Sequence, residues 1–304
     1  MLDYPLIESL RSGELALPEY LAKLQAWFLE REPSVLAFVL EENRFERLQR
    51  EAEALLSRFP DPENRSSLFG MVVGVKDNIH VDGFITRAGT RLPVAEIQGS
   101  EAESITKLKN AGALILGKTV TTEFAYFEPG PTRNPYNPEH TPGGSSSGSA
   151  AAVGAGLCPL ALGTQTIGSV IRPAAYCGAV AFKATYDRVS RSGVIPLSPS
   201  LDHVGLFAQD ISTAKRVAAS LCTDWDEPIS LNREPILGIP EGPYLESASD
   251  SALAHFNTTC DSLTEAGYQL RRIRVLDNIQ EVRARHDVIM AADAARVHKT
   301  WFEK

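Results

Sequence analysis

Two serine-bearing glycine turns lie close together within residues 141–183, and this pair constrains the chain more than any other feature. The first turn reads GGSSSG over residues 143–148, and the second reads GTQTIGS over residues 163–169. The segment GVKDN at residues 74–78 adds a lysine, Lys76. A serine hydroxyl becomes a nucleophile when a base lies within hydrogen-bond reach and N–H groups stabilise the developing oxyanion. A lysine, two serines and the N–H groups of glycine turns are sufficient for acyl transfer without histidine or metal.

The length and charge of the chain favour a globular protein that does not bind nucleic acid. Its 304 residues, 43% of them hydrophobic, fit one large α/β domain or two ordinary ones. The formal net charge of -8 comes from 38 acidic and 30 basic residues. Binding to a phosphate backbone requires a concentrated basic surface, so no direct nucleic-acid partner is expected.

Segments for membrane insertion or metal binding are not indicated by the sequence. No stretch approaches the roughly 18 to 20 apolar residues that span a bilayer, and the N-terminus lacks a basic leader. The four cysteines contain no CxxC pair, and the six histidines show no HExxH spacing. We therefore expect a cytoplasmic protein with no membrane partner, no metal and no cofactor.

Alternating strand and helix patterns predict the fold class. Apolar residues recur at helical spacing over residues 18–58, and MVVGV at residues 71–75 is typical of a buried strand. The alternation of strands and helices further along the chain favours an α/β fold, with a mixed sheet between helices. We expect a helical segment at residues 1–60 to pack on an α/β domain formed by residues 61–304.

The sequence predicts a helix after Gly144 and another at the end of the chain. The serines after Gly144 are suited to capping a helix that continues through the following alanines. The last segment, residues 278–304, keeps an apolar face to the final residue without a glycine cap or a closing strand. We form the hypothesis that the chain stops before its fold is complete. The predicted apolar face consists of Val282, Ile289, Ala292, Val297 and Trp301.

Lys76 acts as a base only when its amine is neutral. Its ordinary pKa of about 10.4 must therefore fall, and burial in an apolar pocket achieves this. Because Lys76 follows the predicted core strand, we expect its amine to be poorly solvated.

These motifs resemble the amidase signature family of serine amidohydrolases. The family pattern of a glycine-glycine-serine-serine turn followed by a Gly-Thr-x-x-x-Gly-Ser turn is matched at Ser145 and Ser169. A GVKDN-type segment carries the matching lysine, Lys76. The similarity continues through residues 182–205, and its strongest motifs lie within residues 70–210.

The resemblance implies a Ser-Ser-Lys relay. Ser169 would be the nucleophile, Ser145 the bridging hydroxyl after a cis Gly144–Ser145 peptide, and Lys76 the terminal base. The backbone N–H groups of four consecutive residues would form the oxyanion hole. These residues are Thr166, Ile167, Gly168 and Ser169.

The second turn departs from the family pattern GTDTGGSIR. Gln165 stands at an aspartate position, Ile167 stands at a glycine position, and Arg172 arrives one residue later than the family arginine. The β-branch of Ile167 disfavours a positive φ and takes room beside the nucleophile, which favours small or slender acyl groups. Asp77 and Asn78 are retained and are expected to orient the loop.

Four polar side chains near the motifs are not assigned to the relay. Arg172 either orients a carboxylate of the substrate or forms a structural salt bridge. His140 and His203 are interpreted as structural or loop residues. Asp202 and His203, adjacent in sequence, would face opposite sides of a strand, which weakens a catalytic pair.

The leading hypothesis is an amidohydrolase that releases ammonia or an amine from a small-molecule carboxamide substrate through an acyl-enzyme. One alternative is the glutaminase-type subunit of a tRNA-dependent amidotransferase, although Pro173 and Ala174 follow Arg172 directly, where that subunit carries Gln-Pro-Ala. An ester- or peptide-directed member of the family is a second alternative, and a truncated or inactive paralogue is a third. Assembly into a homo-oligomer is left open.

Overall fold

The computed structural model describes residues 6–226 and 234–302. The ends of the two predicted segments, at residues 1–5 and 303–304, lie outside the described residues. The chain divides into two compact units, one of residues 1–225 with 293–304 and one of residues 226–292. The predicted division at residue 60 stays a prediction.

The first unit is built on a five-stranded mixed sheet, which confirms the predicted fold class. The strand order is β2-β1-β3-β5-β4, with β1 parallel to β2 and β3, and β5 antiparallel to β3 and β4. The strands are β1 (Val72–Lys76), β2 (Leu114–Thr119), β3 (Leu160–Gln165), β4 (Val180–Lys183) and β5 (His203–Ala208).

Helices cover both faces of this sheet, and a separate apolar core lies on each face. Because β1, β2 and β3 are buried along their whole length, their sequences read as continuous runs rich in valine and leucine. The core that contains Phe69 and Phe207 includes side chains of α1, α2, α3, α5 and α6. The other core includes side chains of α4 and α7, together with Ile7 of α1. The helices of this unit are α1 (Leu6–Ser12), α2 (Leu17–Val35), α3 (Arg44–Arg58), α4 (Glu103–Asn110), α5 (Ser147–Gly154), α6 (Ile171–Cys177) and α7 (Ile211–Leu221).

Helix α5 begins within the first serine turn, as predicted, but the serines do not cap it. Ser146 occupies the N-cap position without a side-chain capping bond. Its hydroxyl instead donates to the carbonyl of Thr164 on β3 at 3.1 Å. Gly148 lets the helix approach the neighbouring backbone, since an added Cβ would lie 2.2 Å from the carbonyl oxygen of Ala37. The serine turn is thereby fixed against the sheet.

The second unit contains a two-stranded parallel sheet of β6 (Ile236–Glu241) and β7 (Gln269–Arg274), with helix α8 (Asp250–Glu265). Helix α9 (Ile279–Val297) follows, and its residues from Asp293 onward are assigned to the first unit.

The predicted apolar face of the last segment is wrong at three positions. Val282 and Ile289 are 42% and 43% exposed, and Ala292 is exposed too. The buried residues of the same helix include Ile279, Met290 and Asp293. Helical spacing alone does not reveal which apolar stripe meets a neighbouring element. Among the described residues, no helix is long and apolar enough to cross a membrane.

Candidate active site

Lys76 ends strand β1, which lies between β2 and β3, and is fully buried. Its neighbour Val75 pairs with Lys118 on β2 and with Leu162 on β3. Burial lowers the pKa of Lys76 to about 7, and the negative charge of Asp202 opposes this fall. Near pH 7 a large share of the molecules therefore holds a neutral amine, as a general base requires.

The amine of Lys76 is surrounded by oxygen atoms from two segments. Nζ donates to Ser145 Oγ at 2.7 Å and to Thr164 Oγ1 at 2.8 Å, and it lies 3.4 Å from the Thr164 carbonyl oxygen. Asn78 Nδ2 donates to the same Thr164 hydroxyl at 3.1 Å. The structure therefore brings two of the predicted relay residues, Lys76 and Ser145, into direct contact.

The peptide bond between Gly144 and Ser145 is cis. The carbonyl groups of both residues accept hydrogen bonds. The Gly144 oxygen accepts from the guanidinium of Arg172 at 2.8 Å, and the Ser145 oxygen accepts from the N–H of Thr122 at 3.1 Å. Arg172 thus holds the backbone before Ser145, a contact that neither interpretation of this arginine included.

Ser169 is buried in the turn between β3 and α6. Its hydroxyl forms no hydrogen bond with any residue that the structure describes, Ser145 included. The N–H groups of Ile167, Gly168 and Ser169 also have no partner within residues 6–226 and 234–302. Unpartnered N–H groups are the donors that an oxyanion hole requires, and the predicted role of this turn stays a prediction.

Ile167 adopts a backbone conformation that suits a β-branched residue, and its expected effect on the size of the acyl group stays a prediction. It is 47% exposed, and its φ is not in the left-handed region. A β-branched residue is therefore compatible with the backbone at this position.

Gln165 bridges the two ends of the same turn. Its Oε1 accepts from the N–H of Val170 at 2.9 Å and from that of Ile171 at 3.0 Å. Residues 166–169 are thereby enclosed between β3 and the start of α6. The amide at the family's aspartate position ties the backbone of the turn without adding a charge.

Asp77 and Asn78 contact different parts of the structure. Asn78 Nδ2 donates to the Thr164 hydroxyl, and its expected role in orienting the loop stays a prediction. The Asp77 carboxylate lies 3.0 Å from the buried amine of Lys118, and its other oxygen accepts from the N–H of Arg87. Asp77 therefore stabilises the segment after β1 and does not contact the amine of Lys76.

Sequence reasoning missed Thr164 and assigned no function to Asp202. Thr164 belongs to the quoted Gly-Thr-x-x-x-Gly-Ser pattern, which was the available signal. Asp202 and His203 do not form a pair, since Asp202 Oδ1 accepts from Thr166 Oγ1 at 2.5 Å, whereas His203 Nδ1 lies 2.7 Å from the carbonyl oxygen of Leu201.

A mainly apolar cavity of about 400 Å³ lies in the same unit. Lys76, Ser145 and Ser169 are not among its lining residues. One lining residue, Glu123, directly follows Thr122, and the N–H of another, Leu197, donates to Asp202. Part of the wall is aromatic, formed by Phe124, Tyr126, His298, Trp301 and Phe302. No group of three or more His, Cys, Asp or Glu side chains within the described ranges is placed to hold a metal ion.

Known proteins resemble this chain in sequence and in structure. It is 45% identical over 201 residues to the A subunit of glutamyl-tRNA(Gln) amidotransferase from Thermus thermophilus, covering 63% of this chain and 39% of the relative. The corresponding protein of Salinibacter ruber is 35% identical over 297 residues, covering 90% of this chain and 57% of the relative. A crystal structure of an amidase superposes with a TM-score of 0.85 at 30% identity, covering 97% of this chain and 68% of that one.

The chain therefore spans about two fifths and three fifths of the length of these two relatives. The family model for Amidase matches residues 37–299, which include both serine turns and Lys76. On this match, the chain belongs to the amidase family.

Proposed function

We propose that the chain hydrolyses a carboxamide through an acyl-enzyme on Ser169, with Lys76 as the base. The observation that carries this proposal is the buried contact of 2.7 Å between the amine of Lys76 and the hydroxyl of Ser145. A fully buried lysine with a pKa of about 7 is suited to general-base catalysis near neutral pH.

The first half-reaction forms the acyl-enzyme. Ser169 Oγ attacks the amide carbon while its proton passes to Ser145, whose own proton passes to Lys76 Nζ. The tetrahedral intermediate then loses ammonia or an amine, which takes a proton back from the relay. Since Ser145 and Ser169 are not hydrogen-bonded in this structure, their hydroxyls must approach when substrate binds, which is common for catalytic hydrogen bonds.

The second half-reaction consumes water. A water molecule loses its proton to the same relay as its oxygen adds to the acyl carbon, and Ser169 leaves with the proton restored. In both halves the negative charge on the former carbonyl oxygen is stabilised by the N–H groups of Ile167, Gly168 and Ser169. Loss of one such donor raises the barrier by roughly 3 kcal/mol.

The substrate class that we favour is a small-molecule carboxamide. The similarity to an amidase structure supports this choice. The second candidate is glutamine, with ammonia passed to a tRNA-dependent amidotransferase reaction. The sequence similarity to two amidotransferase A subunits favours this candidate, which would require partner subunits.

The first experiment locates the nucleophile. Intact mass after treatment with a fluorophosphonate should show one adduct, and peptide mapping should place it on Ser169. Ser169→Ala should lose the adduct, whereas Ser57→Ala, a change at an exposed serine of α3, should keep it. An unlabelled wild-type protein that is otherwise folded would favour the inactive paralogue.

The second experiment identifies the substrate class. Ammonia release is measured with acetamide, propionamide and benzamide, and with glutamine, each in the presence and absence of amidotransferase partner subunits. Hydrolysis of the simple amides by this chain alone supports our first candidate, and release from glutamine only with partners supports the second. Lys76→Ala should lose about as much activity as Ser169→Ala, because the members of one relay are not additive. A lysine variant within a few-fold of wild type would contradict the assigned base.

A further inference from the structure

Asp202 is a buried carboxylate whose contacts converge on the candidate active site. It lies directly before β5 and is 6% exposed. Its Oδ1 accepts from the hydroxyl of Thr166 at 2.5 Å, and its Oδ2 accepts from the N–H groups of Leu197 and Ser198 at 2.9 Å each. A charge buried in this way is costly unless several donors satisfy it, as three do here.

Thr166 is the first residue of the turn that carries the unpartnered N–H groups. The bond from its hydroxyl to Asp202 connects that turn to the segment before β5. Gln165 ties the same turn to the start of α6 through Val170 and Ile171. Asp202 and Gln165 therefore fix the turn from two directions, and Asp202 is the charged member of this pair.

Strand β3 and the turn after it connect Asp202 to Lys76, since Thr164 contacts Nζ and Thr166, two residues later, donates to Asp202. The negative charge of Asp202 favours the protonated amine and so opposes the effect of burial on the pKa of Lys76. Asp77, which directly follows β1, and Lys118 of β2 form an ion pair with each other at 3.0 Å. The groups that contact Nζ from β3 and from the serine turn are the Thr164 and Ser145 oxygens, which carry no net charge.

We propose that Asp202 is a positioning residue of the acyl-transfer site, which holds Thr166 and the free N–H groups of residues 167–169 in place and sets the charge that Lys76 faces. The proposal rests on the proposed function and deepens it. The two roles that it gives to Asp202 predict different changes in the pH–rate profile. Fixing the turn affects the rate at every pH, whereas facing Lys76 affects the pH at which the base loses its proton.

The test compares three variants by the rate of Ser169 phosphonylation with a fluorophosphonate, measured from pH 5 to pH 9. Asp202→Asn should lower the plateau rate by up to roughly a hundredfold, the lower end of the range for loss of an oxyanion donor. It should also move the acid limb to lower pH, because the charge that favours the protonated amine is gone. Thr166→Val removes only the hydroxyl and should lower the plateau without moving the acid limb.

Asp293→Asn is the matched control. Asp293 is also buried and accepts from Ser198 Oγ at 2.8 Å and from the N–H of Ser200 at 3.1 Å, so it supports the same segment. This variant should keep the plateau and the acid limb of wild type. The proposal is overturned if Asp293→Asn reproduces both effects of Asp202→Asn, or if Asp202→Asn keeps the wild-type acid limb.

A second measurement does not depend on activity and separates this proposal from the proposed function. The free energy of unfolding is measured as a function of pH for wild type, for Lys76→Met, for Asp202→Asn and for the double variant that carries both changes. Subtracting the stability of the proteins without the lysine from that of the proteins with it gives the contribution of Lys76 to the pH dependence of stability. This contribution should shift to lower pH when Asp202→Asn is present. If it does not shift, Asp202 does not act electrostatically on Lys76. If Asp202→Asn does not fold, Thr166→Val decides, since a wild-type plateau rate in that variant contradicts the positioning role.

Discussion

Thr164 presents two oxygen atoms to the amine of Lys76, its hydroxyl at 2.8 Å and its carbonyl at 3.4 Å from Nζ. A protonated lysine has three N–H donors and no acceptor, whereas a neutral amine has two donors and one lone pair. If both donors of the neutral amine bind Thr164, the lone pair is left to accept the proton of Ser145. Thr164 therefore selects the orientation of Lys76 that a base needs.

Thr164→Val should lower the rate of Ser169 acylation by roughly tenfold or more. Valine keeps the shape of threonine but leaves the amine and Asn78 Nδ2 each without one acceptor, and a buried group that loses its partner costs about 1–3 kcal/mol. The measurement is ammonia release at saturating carboxamide, with fluorophosphonate labelling as a second readout. Thr164→Ser keeps the hydroxyl and should retain most of the activity. Equal rates for the valine and serine variants would contradict the orienting role.

Acylation should depend on pH through the protonation of Lys76. The base must be neutral, and burial lowers its pKa to about 7, so the rate should rise with pH and level off above that value. Below it the rate should fall about tenfold for each pH unit, as the neutral fraction does. The profile of kcat/KM from pH 5 to pH 9 checks this. A rate that is constant between pH 5 and pH 8 would show that Lys76 is not the group that titrates.

The free energy of unfolding should also depend on pH through Lys76, and the sign of this dependence follows from the pKa shift. The pKa of Lys76 is about 7 in the folded protein, against a reference value of 10.5. Between these values the unfolded chain binds more protons than the folded one, so this residue makes the free energy of unfolding rise with pH. The slope approaches about 1.4 kcal/mol per pH unit.

Lys76→Met isolates this contribution, because every other titrating group is common to both proteins. Denaturant unfolding at pH 7.5 and pH 9.5 should show wild type gaining roughly 2–3 kcal/mol relative to the methionine variant. The methionine variant should be the more stable one, relative to wild type, at the lower pH. Parallel pH curves for the two proteins would mean that the amine is better solvated than the structure indicates.

The local elements and motifs around the site were predictable from the sequence. A run of buried apolar residues ending at Lys76 predicted a core strand, and β1 ends at that residue. The serine turns were predictable as glycine-rich segments that precede helices. Each of these features depends on neighbours in sequence, which is why pattern and composition were enough to find them.

The contacts across the sheet were not predictable, because they depend on strand order. Thr164 reaches Lys76 since β3 lies beside β1, with β2 on the other side. Asp202 reaches Thr166 because β5 runs antiparallel to β3 and pairs His203 with Gln165. Nothing in the spacing of these residues specifies which strands become neighbours. The same reason explains Ser146, whose hydroxyl bonds to β3 and not to its own helix.

Gln165→Leu should impair both the turn and the reaction. Leucine fills a similar volume but cannot accept from the N–H groups of Val170 and Ile171, which lie 2.9 and 3.0 Å from Gln165 Oε1. Each lost hydrogen bond costs about 0.5–1.5 kcal/mol, so thermal unfolding should occur at a lower temperature than in wild type. Because residues 166–169 lose one of their two ties, the rate of Ser169 phosphonylation should fall by more than the loss of stability explains.

Gln165→Glu is the conservative comparison, since its carboxylate keeps an acceptor at the start of α6. It should unfold closer to wild type than Gln165→Leu does, because a negative charge is favourable at a helix N-terminus. It should nevertheless acylate more slowly, since the added charge lies near the turn where an oxyanion must form. Measuring both variants separates the effect of the hydrogen bonds to Val170 and Ile171 from the effect of a negative charge at position 165. Wild-type phosphonylation rates in both would show that the turn keeps its shape without Gln165.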